Sequence, residues 1–66
     1  MGIDKPRSII EHTIDEWIFN ERNRAILKRR LLDGITFERL AEEFDLSTQQ
    51  VKTIVYKGQR VIRCHL

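Results

Sequence analysis

Four polar side chains with recognition chemistry, Gln49, Gln50, Lys52 and Thr53, follow Ser47 and Thr48 at the start of a helical pattern. A carboxamide offers a donor and an acceptor in one plane, an ammonium donates, and a threonine presents both a hydroxyl and a methyl group. Farther along the same face stand Tyr56, Lys57, Arg60 and Arg63. That is chemistry for binding rather than for bond-making. No Ser/His/Asp set, metal cluster or phosphate-binding loop can be assembled from the chain, so no catalytic site, metal or cofactor is expected. Cys64 is the single cysteine, which excludes an intrachain disulfide, and neither Cys64-His65 nor the isolated His12 has structural-zinc spacing.

A face of this kind must be held by other elements. Thr36 is placed as the N-cap of a short amphipathic helix, with Phe37, Leu40, Ala41 and Phe44 on its buried side. Asp45-Leu46 forms a tight turn. Ser47 then opens a longer helix through a capping box with Gln50. The inward stripe of that helix is Val51, Ile54, Val55, Gly58, Val61 and Ile62. Gly58 is its odd member, because glycine inside a helix costs roughly 1 kcal/mol relative to alanine. Because the stripe resumes in phase, the helix is expected to continue through Gly58, with another helix passing close, near Trp17.

The earlier residues supply a platform. After a lead-in over Met1 to Asp4, helical periodicity starts at about Lys5, and Ile10, Ile14, Trp17 and Ile18 share one face. Phe19 lies off this stripe, and either folds back or stays exposed. Asn20 caps a second helix that runs to about Leu32, with Ala25, Leu27, Leu31 and Leu32 as its apolar side and Gly34 as its stop. Ile26 projects away from that side, which places it either against a second neighbour or on a partner surface. The whole chain reads as one all-α, four-helix domain, with a supporting helix at about 36–44 and a recognition helix at about 48–64.

A short helix, a turn and a second helix fixed by a small contact residue, Ala41, with Leu40, Phe44, Leu46, Val51 and Ile54 around it, is the sequence form of a helix-turn-helix. Charge points the same way. Net charge is +2, but from Leu46 to Leu66 it is +4 with no acidic side chain, whereas Thr36 to Asp45 sums to −3. This asymmetry suits a polyanion such as double-stranded DNA. Only the first two turns of the last helix reach base edges, so Gln49, Gln50, Lys52 and Thr53 are the base-contact candidates. Tyr56, Lys57, Arg60 and Arg63 are phosphate-contact candidates, and so are Thr36, Ser47 and Thr48 at helix starts.

The stretch ERNRAILKRRLLDGITFERLAEEFDLSTQQVKTIVYKGQRVI resembles region 4 of bacterial sigma factors. It shares the E-R-x-R-x-x-L helix (Glu21 to Leu27), the G-[LI]-[ST]-[YF]-E-x-[LI]-A start of the supporting helix (Gly34 to Ala41) and S-x-x-x-V-K at the recognition helix (Ser47 to Lys52). The resemblance implies a four-helix domain that reads an upstream promoter element in the major groove and packs on the flap of the RNA polymerase β subunit. By position it puts Gln49, Gln50 and Thr53 at bases, and Arg39, Lys52 and Lys57 near phosphates. Two residues depart from the pattern: Asp45 replaces a turn glycine, and Gly58 replaces a helix former. LuxR-type effector domains share two of the motifs, but they place a further helix after the recognition helix, where this chain ends.

The function expected is a sequence-specific DNA-binding transcriptional regulator acting with RNA polymerase. With no second domain for promoter melting or core-polymerase docking read in these residues, a regulator rather than a whole initiation factor is expected. A single small module gains useful specificity from a dimer mate or from polymerase, and Phe19, Ile26 and Ile35 are the interface candidates. The alternative is an adaptor that binds RNA polymerase or a sigma factor without touching DNA. No apolar run approaches the roughly 20 residues of a membrane span, and a cytoplasmic location is expected.

Overall fold

A computed structural model describes residues 5–66; the lead-in at Met1 to Asp4 lies outside them. Four helices follow one another: α1 (Arg7–Trp17), α2 (Glu21–Asp33), α3 (Phe37–Phe44) and α4 (Thr48–His65). α1 starts two residues later than the periodicity implied. Pro6 stands before it, and its carbonyl accepts from the backbone N–H groups of Ile9 and Ile10 at 3.1 and 3.2 Å.

Helix ends are closed by side chains at the expected places. The oxygens of Asn20 and Thr36 accept from the N–H groups of Asn23 and Arg39. Ser47 and Gln50 complete the reciprocal capping box. Each such cap is worth about 1 kcal/mol. Gly34 stops α2 with φ 69°, the left-handed conformation that a glycine adopts without a side-chain penalty. Asp45 takes the same conformation at φ 56°. The turn therefore keeps its geometry without glycine, and Leu46 N–H closes it on the Ala41 carbonyl at 2.9 Å.

Two buried clusters share α2 between them. Ile10, Ile14, Ile18, Leu27 and Ile62 form one, and Ile26, Leu40, Ala41, Val51 and Val55 form the other. Ile26 and Leu27 are both 0% exposed. This corrects the placing of Ile26 on a partner surface: consecutive helix positions point about 100° apart, and α2 has a neighbour in each direction. Ile35 is half-buried against the second cluster. Phe19, by contrast, is 79% exposed.

Gly58 is on the buried stripe, and α4 runs through it unbroken. The helix that approaches it is α2, not α1. A Cβ at Gly58 would lie 2.4 Å from Cδ1 of Leu27. Trp17 is instead 40% exposed and stacks face to face on His65, with ring centroids 3.6 Å apart, which ties the end of α1 to the end of α4. Two polar residues are buried without warning from the sequence, Thr13 and Gln59. The Thr13 hydroxyl donates back to the Ile9 carbonyl at 2.8 Å, so its polarity is satisfied within α1.

Asp15 ties α1 to α2. Its carboxylate accepts from Lys28 Nζ at 2.7 Å, and Arg24 stands 3.8 Å away. The Lys28 hydrogen bond, with the nearby positive charges, holds the Asp15 carboxyl below its ordinary value of 3.8, against a smaller opposing effect of burial. A lowered folded-state pKa stabilises the fold above pH 3.8, and the gain is lost as pH falls through the lower folded value. Melting temperature is therefore expected to drop on acidification below pH 3.8, with a shallower drop in Asp15→Asn. Parallel thermal melts of the two proteins across this range provide the check.

Candidate nucleic-acid interface

α3 and α4 pack through Leu40 and Ala41 against Val51 and Val55, all at most 7% exposed. The capped turn between them fixes how α4 is presented, because Thr36, Asp45 and Ser47 each have their backbone direction set by a hydrogen bond. α4 is 18 residues long and extends well past Val51, Ile54 and Val55, where it meets α3.

Gln49, Gln50, Thr53, Tyr56, Lys57, Arg60 and Arg63 are all exposed, and Thr48 and Lys52 are half-buried. Thr36, Arg39 and Ser47 are exposed at the starts of α3 and α4. The recognition candidates of α4 therefore share one helix, while Thr36 stands at the N-cap and Arg39 in the first turn of α3. Phe37 joins the two helices. Tyr56 meets it edge-on with centroids 5.9 Å apart, Lys52 Nζ lies 5.9 Å from the ring centre, and Arg30 from α2 lies over the ring at 4.3 Å.

Positive charge divides sharply between helices. On α2, Arg24 and Lys28 face Asp15, Arg29 makes a two-pronged pair with Glu43 at 3.1 and 2.8 Å, and Arg30 donates to the Ile35 carbonyl at 3.1 Å. These cations are engaged in holding helices together. Among the described residues, the side chains of Arg39, Lys57, Arg60 and Arg63 make no hydrogen bond or ion pair. Their charge is left facing solvent, with no acidic residue on α4 to offset it. A polyanion contacting this face would neutralise unpaired cations and break no internal pair.

One residue enters the site that spacing did not single out. Arg22, exposed in the first turn of α2, lines a shallow groove of about 250 Å³ with Leu46, Gln49, Gln50, Thr53 and Ile54. Arg22 lies in the E-R-x-R motif, but only the packing of α2 beside α4 brings it next to the candidate readers. A neighbouring groove of about 270 Å³ has an apolar floor of Ile18, Leu27, Ile54 and Val61, with Asn23 and Lys57 among its lining residues.

A capped supporting helix, a left-handed turn, and a following helix that carries the exposed amide of Gln49 and unpaired cations define a helix-turn-helix domain. Comparison with protein families makes the assignment specific: the model of sigma-70 region 4 matches residues 19–63, and the chain belongs to that family, whose members are DNA-binding domains of transcription. No curated protein and no solved structure matches the chain. The match spans α2, α3 and nearly all of α4, while α1 lies outside it. Among the described residues no helix is long and apolar enough to cross a membrane.

Proposed function

We propose that this chain is a sequence-specific transcriptional regulator that lays the first two turns of α4 in the DNA major groove and acts together with RNA polymerase. The observation that carries the reading is the set of exposed, unpaired cations of the helix-turn-helix: Arg39 on α3, and Lys57, Arg60 and Arg63 on α4. Phosphates on either side of the groove are their targets, and Thr36, Ser47 and Thr48 offer helix-start N–H groups to the same backbone. Lys52, half-buried beside Phe37, joins this group. Arg22 adds a cation from α2 on the other side of α4.

A single module of this size covers little DNA, so a second contact supplies the remaining specificity. The RNA polymerase β flap is the partner the family implies, and a second copy of the chain is the other. Phe19, 79% exposed and next in the chain to a groove-lining residue, Ile18, supports a protein contact on that side. The same feature supports the second reading, an adaptor that holds polymerase or a sigma factor without DNA. Selection from a random duplex library, run with and without RNA polymerase, separates them. The regulator reading expects a defined sequence to be enriched, and more strongly with polymerase present. Retention on polymerase with no duplex enriched in either arm would favour the adaptor.

A further inference from the structure

Hydrogen bonds within α4 sort the outward residues of its first two turns by what each still has to offer a base. Gln50 Oε1 accepts from the Ser47 backbone N–H at 3.0 Å and lies 3.3 Å from the Ser47 hydroxyl. The Ser47 hydroxyl oxygen in turn accepts from Gln50 N–H at 3.1 Å. A carboxamide reads adenine by accepting from the N6 amino group while donating to N7. With its oxygen turned back to the helix start, Gln50 has only its NH₂ left, and freeing the oxygen would cost the cap. Gln49, the neighbouring residue, is exposed, and its side chain makes no hydrogen bond among the described residues.

Thr53 is committed in a different way. Its hydroxyl donates to the Gln49 carbonyl at 3.0 Å, which uses its only proton and fixes its rotamer. It can no longer donate to a base; what it presents is its methyl group, beside a hydroxyl oxygen that can only accept. Lys52 leans over the flank towards α3, with its ammonium 5.9 Å from the Phe37 ring centre. Gln49 and Thr53 are four residues apart on one face, with Cβ atoms roughly 6 Å apart, which matches one or two steps of about 3.4 Å along a DNA strand.

Building on the DNA-reading function proposed above, we infer that Gln49 and Thr53 alone form the base-reading pair, Gln49 on an adenine and the Thr53 methyl on a nearby thymine methyl, while Gln50 is a positioning residue. The site read is therefore an A·T-containing step. Gln50 contributes by holding the start of α4 in place, equally for every sequence.

The test uses the full chain and the duplex its own library selection enriches, with single-atom changes in the DNA. Replacing the recognised adenine by 7-deazaadenine removes the N7 acceptor, and about three- to tenfold loss of affinity is expected for one hydrogen bond. Replacing the thymine by deoxyuridine removes one methyl, with about fourfold loss. Gln49→Ala should abolish the first sensitivity. Thr53→Ser, which keeps the hydroxyl but lacks the methyl, should abolish the second. Gln50→Ala, assayed at a temperature where it is fully folded, should keep the selected sequence and both sensitivities while weakening all duplexes alike. Gln50→Glu, which restores a capping acceptor, should recover the melting temperature lost in Gln50→Ala. A changed selected sequence in Gln50→Ala, or an unchanged one in Gln49→Ala, overturns the assignment. An enriched site insensitive to both DNA substitutions overturns this pairing and leaves DNA binding intact. A selection that enriches no duplex overturns the DNA-reading function itself.

Discussion

Gly58→Val is expected to lower the melting temperature by roughly 4–20 °C, since overpacking a filled core costs about 1–3 kcal/mol and each kcal/mol shifts a domain of this size by about 4–8 °C. A Cβ there would sit 2.4, 2.7 and 3.0 Å from Cδ1, Cδ2 and Cγ of Leu27. Leu27 is fully buried in the cluster with Ile14 and Ile62, so relieving the clash means displacing its branches from that cluster towards the groove it lines with Ile54 and Val61. Helix propensity pulls the other way, but the gain from replacing glycine is under about 1 kcal/mol. Leu27→Ala alone should cost about 2–5 kcal/mol. Combined with Gly58→Val it should cost less than the two changes added together, because the valine fills space the leucine vacates. Thermal melts of the single and double variants check this. Rescue by Trp17→Ala in place of Leu27→Ala would contradict the packing described.

The second large effect concerns binding. Replacing Lys57, Arg60 and Arg63 together by Glu should weaken duplex binding by about 100-fold or more at physiological salt, because each phosphate contact contributes roughly 0.9 to the log–log salt slope. Since none of the three forms an ion pair or hydrogen bond among the described residues, the helical fold should survive the exchange. Reversing Arg29 would have a different outcome. Its two-pronged bond to Glu43 joins α2 to α3, so the loss would fall first on stability, though pairs this exposed contribute only about 0–1 kcal/mol. Titration of the triple variant against the selected duplex, with circular dichroism as the control for folding, provides the measurement.

Features governed by local chemistry were legible in the chain itself. Asn20, Thr36 and Ser47 announce their caps, Gly34 its stop, and the periodicity of α3 and α4 places Leu40, Ala41, Val51 and Val55 at their crossing. What periodicity leaves open is which neighbour each face meets. Ile26 looks like an outlier on a one-sided helix, and becomes a core residue only because α2 is packed between α1 and α3. Gly58 signals close packing without naming the residue that approaches, and Leu27 rather than a residue near Trp17 fills that role. His65 carries no pattern at all, yet meets Trp17 from the far end of the chain.

The candidate site was legible in outline for the same reason. One face of α4 is a periodic feature, but the charge available to a partner is not. Glu21 to Ile35 carries a net +3, as conspicuous as the last helix. Folding engages Arg24, Lys28, Arg29 and Arg30 with Asp15, Glu43 and Ile35 and leaves the cations of α4 unpaired. Gln50 shows the limit in a single residue: the capping box and adenine reading were both written in the same side chain, and only the hydrogen bond to Ser47 shows that its oxygen is engaged by the first.

The most direct measurement is the salt dependence of the unmodified chain's affinity for the duplex it selects. With about four phosphate contacts from Arg39, Lys57, Arg60 and Arg63, log affinity should fall against log salt with a slope near −3 to −4. A slope near zero, or no duplex bound at low salt, would contradict the claim that this helix-turn-helix meets DNA through α4.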